Sequence, residues 1–448
     1  MANIVVGMHN FLLKKDGLDN CPPFYSSFIN GLKKAGNNVF CFQFGYKLQE
    51  ETEQIPEIYL KKIKEINPDL FILFNNHFWD ITDEFNVPIV VFDVDSPNHY
   101  CNIKKIKNNI SRYKFIVSQK SGIISTSEIT GAKKESICYI APFSELQAKN
   151  ISQNINISFL GSHWCWNDFP DVVNFIKSKP SFKEREMAKK AYVAFQDYPF
   201  IDLEETYKRN KLEAEKKLAF KNLVVGRGRI SGLKRLRYLT EISDLGLEIR
   251  GQSWLNSIML QAFPEVVLSY SLEPVNNIQQ VESFLNCSKI SLNTKHIQAQ
   301  SGFSWRVCDI LASNACLVTE PTSDLKDFGF KVPTFTSPAE LREQCVRLLN
   351  NPNLREDIVA HSQELINKNH RFSNILPIIE NFLNIKLSTG LVGSLENIHI
   401  FKETASTNQN KEQAISPNLF PCVSTSNLNI KQKLCYKVSK YFFCLANE

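Results

Sequence analysis

Short apolar runs alternate with segments of helical periodicity along residues 1–145 of the chain. The runs at 3–8, 38–44 and 68–75 are apolar at consecutive positions, which is typical of parallel strands that are buried on both faces. Helix-like segments between the runs, such as residues 22–36, supply the right-handed crossovers that join parallel strands. The pattern predicts a doubly wound, Rossmann-like α/β domain over residues 1–150.

The same alternation starts again after residue 150 and predicts a second Rossmann-like domain over residues 151–385. A charged, helical stretch at 164–218 interrupts it and is interpreted as an insert. Residues 386–448 are rich in Ser, Thr and Asn and are interpreted as a linker and tail. The predicted fold class is α/β, with two doubly wound domains that face each other across a cleft. The strands predicted for the second domain cover residues 156–162, 222–226, 246–251, 265–270, 289–294 and 315–320.

The last segment of the chain regains helical periodicity at residues 430–446. An apolar stripe and a lysine-bearing face indicate an amphipathic helix that contacts a membrane surface peripherally. The alternative is a helix that docks on its own protein. The stripe consists of Leu434, Val438, Tyr441, Phe442 and Leu445, and the other face carries Lys433, Lys437 and Lys440.

Composition excludes several classes of protein. The 448 residues are 43% hydrophobic and carry a formal charge of +6, so neither a disordered chain nor a nucleic-acid-binding protein is expected. The 12 cysteines include no Cys-x-x-Cys pair and are interpreted as buried thiols of a reducing compartment. The sequence has neither a signal peptide nor an apolar run long enough to span a bilayer. The protein is therefore expected in the cytoplasm, or peripherally on the inner face of a membrane.

The stretch 301–320, SGFSWRVCDILASNACLVTE, carries the richest candidate chemistry. A loop of small residues precedes a helix, and a helix N-terminus favours a bound phosphate. Arg306 offers a cation with bidentate geometry, and the Asp309 carboxylate could accept hydrogen bonds from a ribose. The alternative is that Arg306 and Asp309 form an intrahelical ion pair.

This stretch resembles the donor-binding motif of GT-B glycosyltransferases, in which Glu-Gly-Phe-Gly is followed by a second Glu and small residues. Ser301 stands at the first Glu, Gly302 and Phe303 match, and Asp309 stands at the second Glu. The arginine three residues before that acid, together with FTSPAELREQCVRLLNNPNLRED, resembles the CgeB-type (spore-maturation-like) branch of the glycosyl transferases of group 1. The resemblance covers about residues 3–380, apart from the insert.

The resemblance implies a nucleoside-diphosphate sugar as donor, held by the second domain, and no cofactor. Its expected donor-binding residues are Ser301, Gly302, Phe303, Arg306 and Asp309. Three further residues outside the motif are candidates for contact with the phosphates: Gly161, His163 and Arg235. The alternatives are that His163 packs against neighbouring tryptophans and that Arg235 belongs to a solvated basic face.

Asp95 and His99 are the candidate catalytic bases, because they follow a predicted strand that faces the cleft. The alternatives are that Asp95 caps the next turn and that His99 is solvated. Asp93-Val94-Asp95 is strand-like rather than a metal-binding pair, so catalysis independent of metal is expected.

The leading hypothesis is therefore a glycosyltransferase that moves a sugar to a glycan or lipid-linked acceptor. By analogy with the family, the pathway is bacterial surface polysaccharide synthesis. Two alternatives remain open: a sugar-nucleotide epimerase on the same fold, and a non-catalytic protein that binds nucleotide sugars.

Overall fold

The computed structural model describes most of the chain outside the predicted insert and tail. The described ranges are 1–9, 23–44, 57–77, 84–94, 100–161, 229–251, 264–271, 277–295 and 301–400, together with Cys21, Pro97, Phe182, Glu273 and Val275. The predicted insert, apart from Phe182, and the predicted amphipathic segment 430–446 lie outside these residues. Among the described helices, none has the length and hydropathy needed to cross a membrane.

The first sheet has seven parallel strands, six of which precede the second sheet in the chain. The order across the sheet is β11-β2-β1-β3-β4-β5-β6. The strands are β1 (Asn3–His9), β2 (Asn38–Phe44), β3 (Leu70–Phe74), β4 (Ile89–Phe92), β5 (Tyr113–Val117), β6 (Ile137–Tyr139) and β11 (Ser394–Ile400). All residues of β3 and β4 are buried, because helices cover both faces of the sheet, as the uninterrupted apolar runs predict.

The second sheet has four described strands, also all parallel, in the order β10-β9-β7-β8. Together the two sheets confirm the predicted α/β class with two parallel, Rossmann-like layers. Residues 140–154 connect β6 to the second sheet without regular structure. The strands are β7 (Ile155–Leu160), β8 (Leu247–Arg250), β9 (Ser288–Asn293) and β10 (Cys316–Thr319).

Helices surround both sheets, and several begin at caps that the sequence makes recognisable. Ser337 and Asn351 each accept a hydrogen bond from a backbone N–H in the first turn, and a proline follows each cap. The helices that precede the second sheet are α1 (Pro23–Lys34), α2 (Glu57–Ile66), α3 (Ile103–Asn108) and α4 (Lys120–Thr130). Those that come after β7, the first strand of the second sheet, are α5 (Arg229–Glu241), α6 (Pro264–Leu268), α7 (Ile278–Asn286), α8 (Trp305–Ala312), α9 (Ser323–Asp327), α10 (Pro338–Leu349), α11 (Pro352–Asn369) and α12 (Phe372–Leu383).

Helix α12 follows the second sheet in the chain but packs on the first. Phe372, Ile375 and Ile379 are buried in the core formed by β1, β3 and α1. Gly31 of α1 makes the contact close, since a Cβ at this position would lie 2.4 Å from the Phe372 ring. The C-terminal part of the range 151–385 therefore contributes to the core of the first sheet.

Two predictions about secondary structure are wrong. Residues 265–270 were expected to form a strand, but Pro264–Leu268 is a helix, with Pro264 and Glu265 in its first turn, where both residue types favour helix initiation. Within the predicted linker and tail 386–448, Ser394–Ile400 is strand β11, which pairs in parallel with β2 at the edge of the first sheet. Within the described residues, only one edge of β11 is paired. Its sequence is largely polar, so the apolar pattern that predicted the buried strands did not predict this one.

Candidate functional site

The predicted donor loop follows β9 of the second sheet and contacts residues that follow β5 of the first sheet, so the carboxyl ends of these two strands come close to each other. The Ser301 hydroxyl accepts a hydrogen bond from the backbone N–H of Ser121 at 3.2 Å and donates to the Ser121 hydroxyl at 3.0 Å. Ser121 belongs to α4, which follows β5 of the first sheet. A Cβ on Gly302 would lie 2.5 Å from the Gln119 side chain. Ser301 stands where the family motif carries a glutamate, and its short hydroxyl side chain links the loop after β9 to α4, which packs on the first sheet.

Aromatic packing anchors the start of α8 to the first sheet. The Trp305 ring stacks on Phe24 at a centroid distance of 3.8 Å and an interplanar angle of 22°. Phe24 in turn contacts Phe74 and Phe92, the last residues of β3 and β4. Phe303, predicted to bind the donor, is 5% exposed and packs against Phe328. We therefore regard Phe303 as a residue that shapes the loop from within the core.

Asp309 forms the ion pair with Arg306 that the sequence offered as the alternative to ribose binding. Its Oδ2 lies 3.6 Å from Nη1 of Arg306, and its Oδ1 accepts a hydrogen bond from the Ser144 hydroxyl at 2.8 Å. Burial raises the pKa of the Asp309 carboxyl to about 6, although the Arg306 charge and the Ser144 hydrogen bond oppose the shift. Burial also lowers the pKa of Arg306. Both carboxylate oxygens are thus engaged within the protein.

Ser144 belongs to the connection between the two sheets, and neighbouring residues hold the same connection. The Cys308 thiol donates to the Pro142 carbonyl at 3.1 Å. Nη1 of Arg371 donates to the carbonyls of Ser144 and Leu146 at 2.7 and 2.6 Å. Asp309 is therefore part of a set of contacts that fixes the path of the chain between the sheets.

A buried, charged cluster lies where β9 and β10 end and α5 packs against them. Nε of Arg235 donates to the Thr294 hydroxyl at 3.0 Å, and its guanidinium lies 5.3 Å from the centroid of the Phe159 ring. Lys234 forms a 2.8 Å ion pair with Glu320, whose other carboxylate oxygen accepts from the backbone N–H of Lys295. Arg235 is only 6% exposed, so it does not belong to a solvated basic face.

The sequence reasoning missed Lys234 and Glu320. Glu320 is the first residue after β10, at a strand end that faces the cleft, and this was the signal that could have identified it. Lys234 directly precedes Arg235 on α5. The two ionised groups lie 86 residues apart in the chain, so their pairing could not be derived from spacing.

Gly161 ends β7 at a point where two strands approach closely. Its N–H donates to the Arg250 carbonyl at 3.0 Å, and a Cβ on Gly251 would lie 2.3 Å from the Gly161 carbonyl oxygen. The glycines at these strand ends allow the backbones of β7 and β8 to meet. His163 lies outside the described residues.

The candidate bases Asp95 and His99 also lie outside the described residues. Asp93, directly after β4, is described and is 6% exposed. The same edge of the first sheet carries a pair that sequence reasoning missed, in which Nδ1 of His77 lies 3.3 Å from Sγ of Cys101. Among the described residues, no group of three or more His, Cys, Asp or Glu side chains is arranged to hold a metal ion.

Several solved structures resemble the fold over most of its length. They include the Anabaena protein HepE in complex with UDP and glucose (11% identity, TM-score 0.48, 86% of this chain and 100% of that chain). A glycosyltransferase from Rickettsia africae (10%, 0.49, 85% and 98%) and the phage T4 enzyme BGT in complex with UDP-glucose (10%, 0.47, 85% and 99%) are also similar.

Sequence comparison gives a more specific result for the second half of the chain. No curated protein sequence matches the chain significantly. A protein-family model does match, over a segment that begins within α5, contains the buried cluster around Arg235 and Glu320, and ends within α12. Over residues 233–381 the chain is thus similar to the family described as Glycosyl transferase-like.

Proposed function

We propose that the protein is a glycosyltransferase that uses a nucleoside-diphosphate sugar as donor. The observation that carries this proposal is the match to the glycosyltransferase-like family over the segment that holds the buried, charged cluster around Arg235 and Glu320. Ligands of parallel α/β sheets bind at the carboxyl ends of the strands, where this cluster lies. A diphosphate is the kind of ligand that a desolvated arginine recognises.

In this proposal the second sheet holds the donor, and Arg235 is the positively charged residue that binds its diphosphate. Arg235 is held by Thr294 and the Phe159 ring, so its guanidinium is oriented before a ligand binds. A fixed positive charge at this position stabilises the diphosphate as it departs with the bond electrons. Stabilisation of this kind needs no metal, and catalysis independent of metal remains our prediction.

The first sheet then presents the acceptor, and Asp95 and His99 remain the candidate bases, because both follow the carboxyl end of β4 in the sequence. An acceptor hydroxyl that attacks the sugar carbon must lose its proton, and a carboxylate or imidazole at this strand end would receive it. We further propose a glycan or lipid-linked acceptor in bacterial surface polysaccharide synthesis, in line with the resemblance to the CgeB-type branch. The Ser301–Ser121 contact takes the place of the first motif glutamate.

The test begins with ligand binding. Thermal shift against a panel of nucleoside-diphosphate sugars should reveal stabilisation by one of them, since ligand binding to the folded state raises its stability. Arg235→Gln should weaken the binding of that compound about 10- to 150-fold, because a hydrogen bond to a charged group contributes roughly 1.5–3 kcal/mol. Arg342→Gln is the matched control, since Arg342 is partly exposed and pairs with Asp244.

Product analysis then separates transfer from the two alternatives. A transferase leaves the sugar nucleotide unchanged until an acceptor is added, apart from slow hydrolysis. An epimerase converts the sugar nucleotide without any acceptor, and a non-catalytic binding protein leaves it unchanged even when an acceptor is present. Failure of every nucleoside-diphosphate sugar to bind would contradict the proposal.

A further inference from the structure

The connection after β3 has an unusual backbone that holds the start of α3 in place. Asn75 and Asn76 both adopt the left-handed conformation, with φ of 50° and 59°. The Asn75 carbonyl accepts a hydrogen bond from the N–H of Cys101 at 2.9 Å, and the Asn76 side chain donates to the Cys101 carbonyl at 2.6 Å. Cys101 is therefore fixed against the end of β3, although 25 residues separate it from Asn76.

The same turn directs the His77 side chain at the Cys101 thiol. The His77 N–H donates to the Phe74 carbonyl at 3.0 Å, and Nδ1 of its ring lies 3.3 Å from Sγ of Cys101. Cys101 and His77 are partly exposed, so a small reagent can reach the sulfur. These observations place a thiol and an imidazole nitrogen in hydrogen-bonding contact.

We propose that Cys101, activated by His77, is a site of covalent modification by small soft electrophiles. The thiolate is the nucleophilic form of cysteine, and an adjacent imidazole favours it by taking the proton. In the reaction with iodoacetamide, the sulfur forms a bond to carbon, the carbon–iodine bond breaks, and iodide leaves with the bond electrons. The proton that left the thiol remains on the His77 imidazole until it passes to solvent.

The position of Cys101 gives this chemistry a consequence for the proposed transferase. The thiol lies at the carboxyl edge of the first sheet, beyond Phe74, whose neighbour Phe24 stacks on Trp305 of the second half. A group attached to the sulfur would obstruct the edge that the acceptor must approach. This consequence, unlike the reactivity itself, rests on the proposed function.

The first test measures alkylation rates in the full-length protein. Iodoacetamide is added at pH 7, and each cysteine is followed by mass spectrometry of its peptide. Cys287 and Cys138, which are partly buried, are the internal controls. We expect Cys101 to react about tenfold faster than either control and His77→Asn to remove most of that advantage. Equal rates for the three cysteines, or an unchanged rate in a folded His77→Asn protein, would overturn the proposal.

A second measurement needs no substitution, so it remains decisive if His77→Asn does not fold. The alkylation rate of an isolated thiol falls about tenfold for each pH unit below its pKa of about 8.5. A thiolate paired with an imidazolium keeps much of its rate between pH 6 and 8. Asp93 and Tyr100 are the titratable groups that the structure describes on the β4–α3 connection, and Tyr100 directly precedes Cys101. A tenfold fall per pH unit at Cys101 would contradict the pairing.

The third measurement concerns activity. Cys101→Ser should retain transfer and resist inactivation by iodoacetamide, whereas the wild-type protein should lose activity in step with labelling of Cys101. Full activity after complete labelling would overturn the proposed obstruction. Absence of transfer before any labelling would be a failure of the proposed function, and the labelling rates would still decide the question of reactivity.

Discussion

Asp309 illustrates how a residue that matches a binding motif can serve the architecture of the protein instead. Its carboxylate is 4% exposed, contacts Ser144 of the connection between the sheets, and pairs with Arg306. A ribose would have to displace the Ser144 hydroxyl to reach it. The motif position alone could not reveal this, because Ser144 lies 165 residues away in the chain.

The raised pKa of Asp309 predicts a pH dependence of stability. The value of about 6 exceeds the usual 3.8, so the folded state holds the proton more tightly than the unfolded chain does. Stability should therefore fall as the pH rises from about 4 to about 6, by up to about 3 kcal/mol, and this contribution should level off above the folded-state pKa. Asp309→Asn removes this dependence, so urea unfolding from pH 4 to 7 should show the variant gaining stability relative to wild type.

Asp244 provides the control for this experiment. The hydrogen bond from Arg342 lowers the pKa of the Asp244 carboxyl from its usual 3.8, so Asp244→Asn should leave the slope between pH 4 and 7 as in the wild type and change the pH dependence only below about pH 4, in the opposite direction. Its contribution to stability is present at neutral pH and is lost as the pH falls through the folded-state pKa. The same slope for both variants would contradict the assignment to Asp309.

The Lys234–Glu320 pair allows a second test at the residue scale. The two side chains are 8% and 7% exposed, and removal of one partner leaves the other charge buried. Lys234→Met should therefore reduce the free energy of unfolding by roughly 3–5 kcal/mol. The double variant Lys234→Met, Glu320→Gln should recover much of the loss, because the remaining amide can still accept from the Lys295 N–H. A double variant that is less stable than Lys234→Met would disprove this account.

At the scale of elements, the sequence predicts the strands whose residues are buried without interruption, and it does not predict a strand whose burial is interrupted. The apolar runs of β3 and β4 and the capped helices α10 and α11 are recognisable because each carries a local signal. β11 reads as SLENIHI, with alternating polar residues in a polar region, and only its pairing with β2 makes it a strand. The contact of α12 with the first sheet depends on residues that lie far apart in the sequence, such as Gly31 and Phe372.

The contact between α1 and α12 can be tested at this scale. Gly31→Ala places a methyl group within 2.4 Å of the Phe372 ring, so the helices must separate, at a cost of about 1–3 kcal/mol. Phe372→Ala vacates that space, and the two changes together should cost less than the sum of the single changes. Denaturant unfolding of the three variants measures this coupling. Strictly additive losses would mean that the helices do not pack as described.

At the scale of the whole molecule, the two sheets share one aromatic cluster. Phe24 stacks on Trp305, Phe143 contacts both Trp305 and Phe372, and Phe372 contacts Phe28. Residues from α1, the inter-sheet connection, α8 and α12 thus meet in one place. Because α12 completes the core of the first sheet while the preceding helix α11 packs on the second half, we expect neither half to retain its full stability alone.

The stacked pair Phe24 and Trp305 provides the test of this shared stability. In a double-mutant cycle with Phe24→Ala and Trp305→Ala, the coupling energy should be about 0.5–1.5 kcal/mol, as expected for aromatic pairs. Phe335, which packs on Tyr238 in the second half, is the control. Phe24→Ala and Phe335→Ala should add within about 0.5 kcal/mol, because the two rings belong to separate cores. A coupling near zero for Phe24 and Trp305 would indicate that the contact between the halves does not persist in solution. The two sheets would then be free to unfold separately, and the closeness of the carboxyl ends of β5 and β9, on which the proposed donor and acceptor sites depend, would lose its main support.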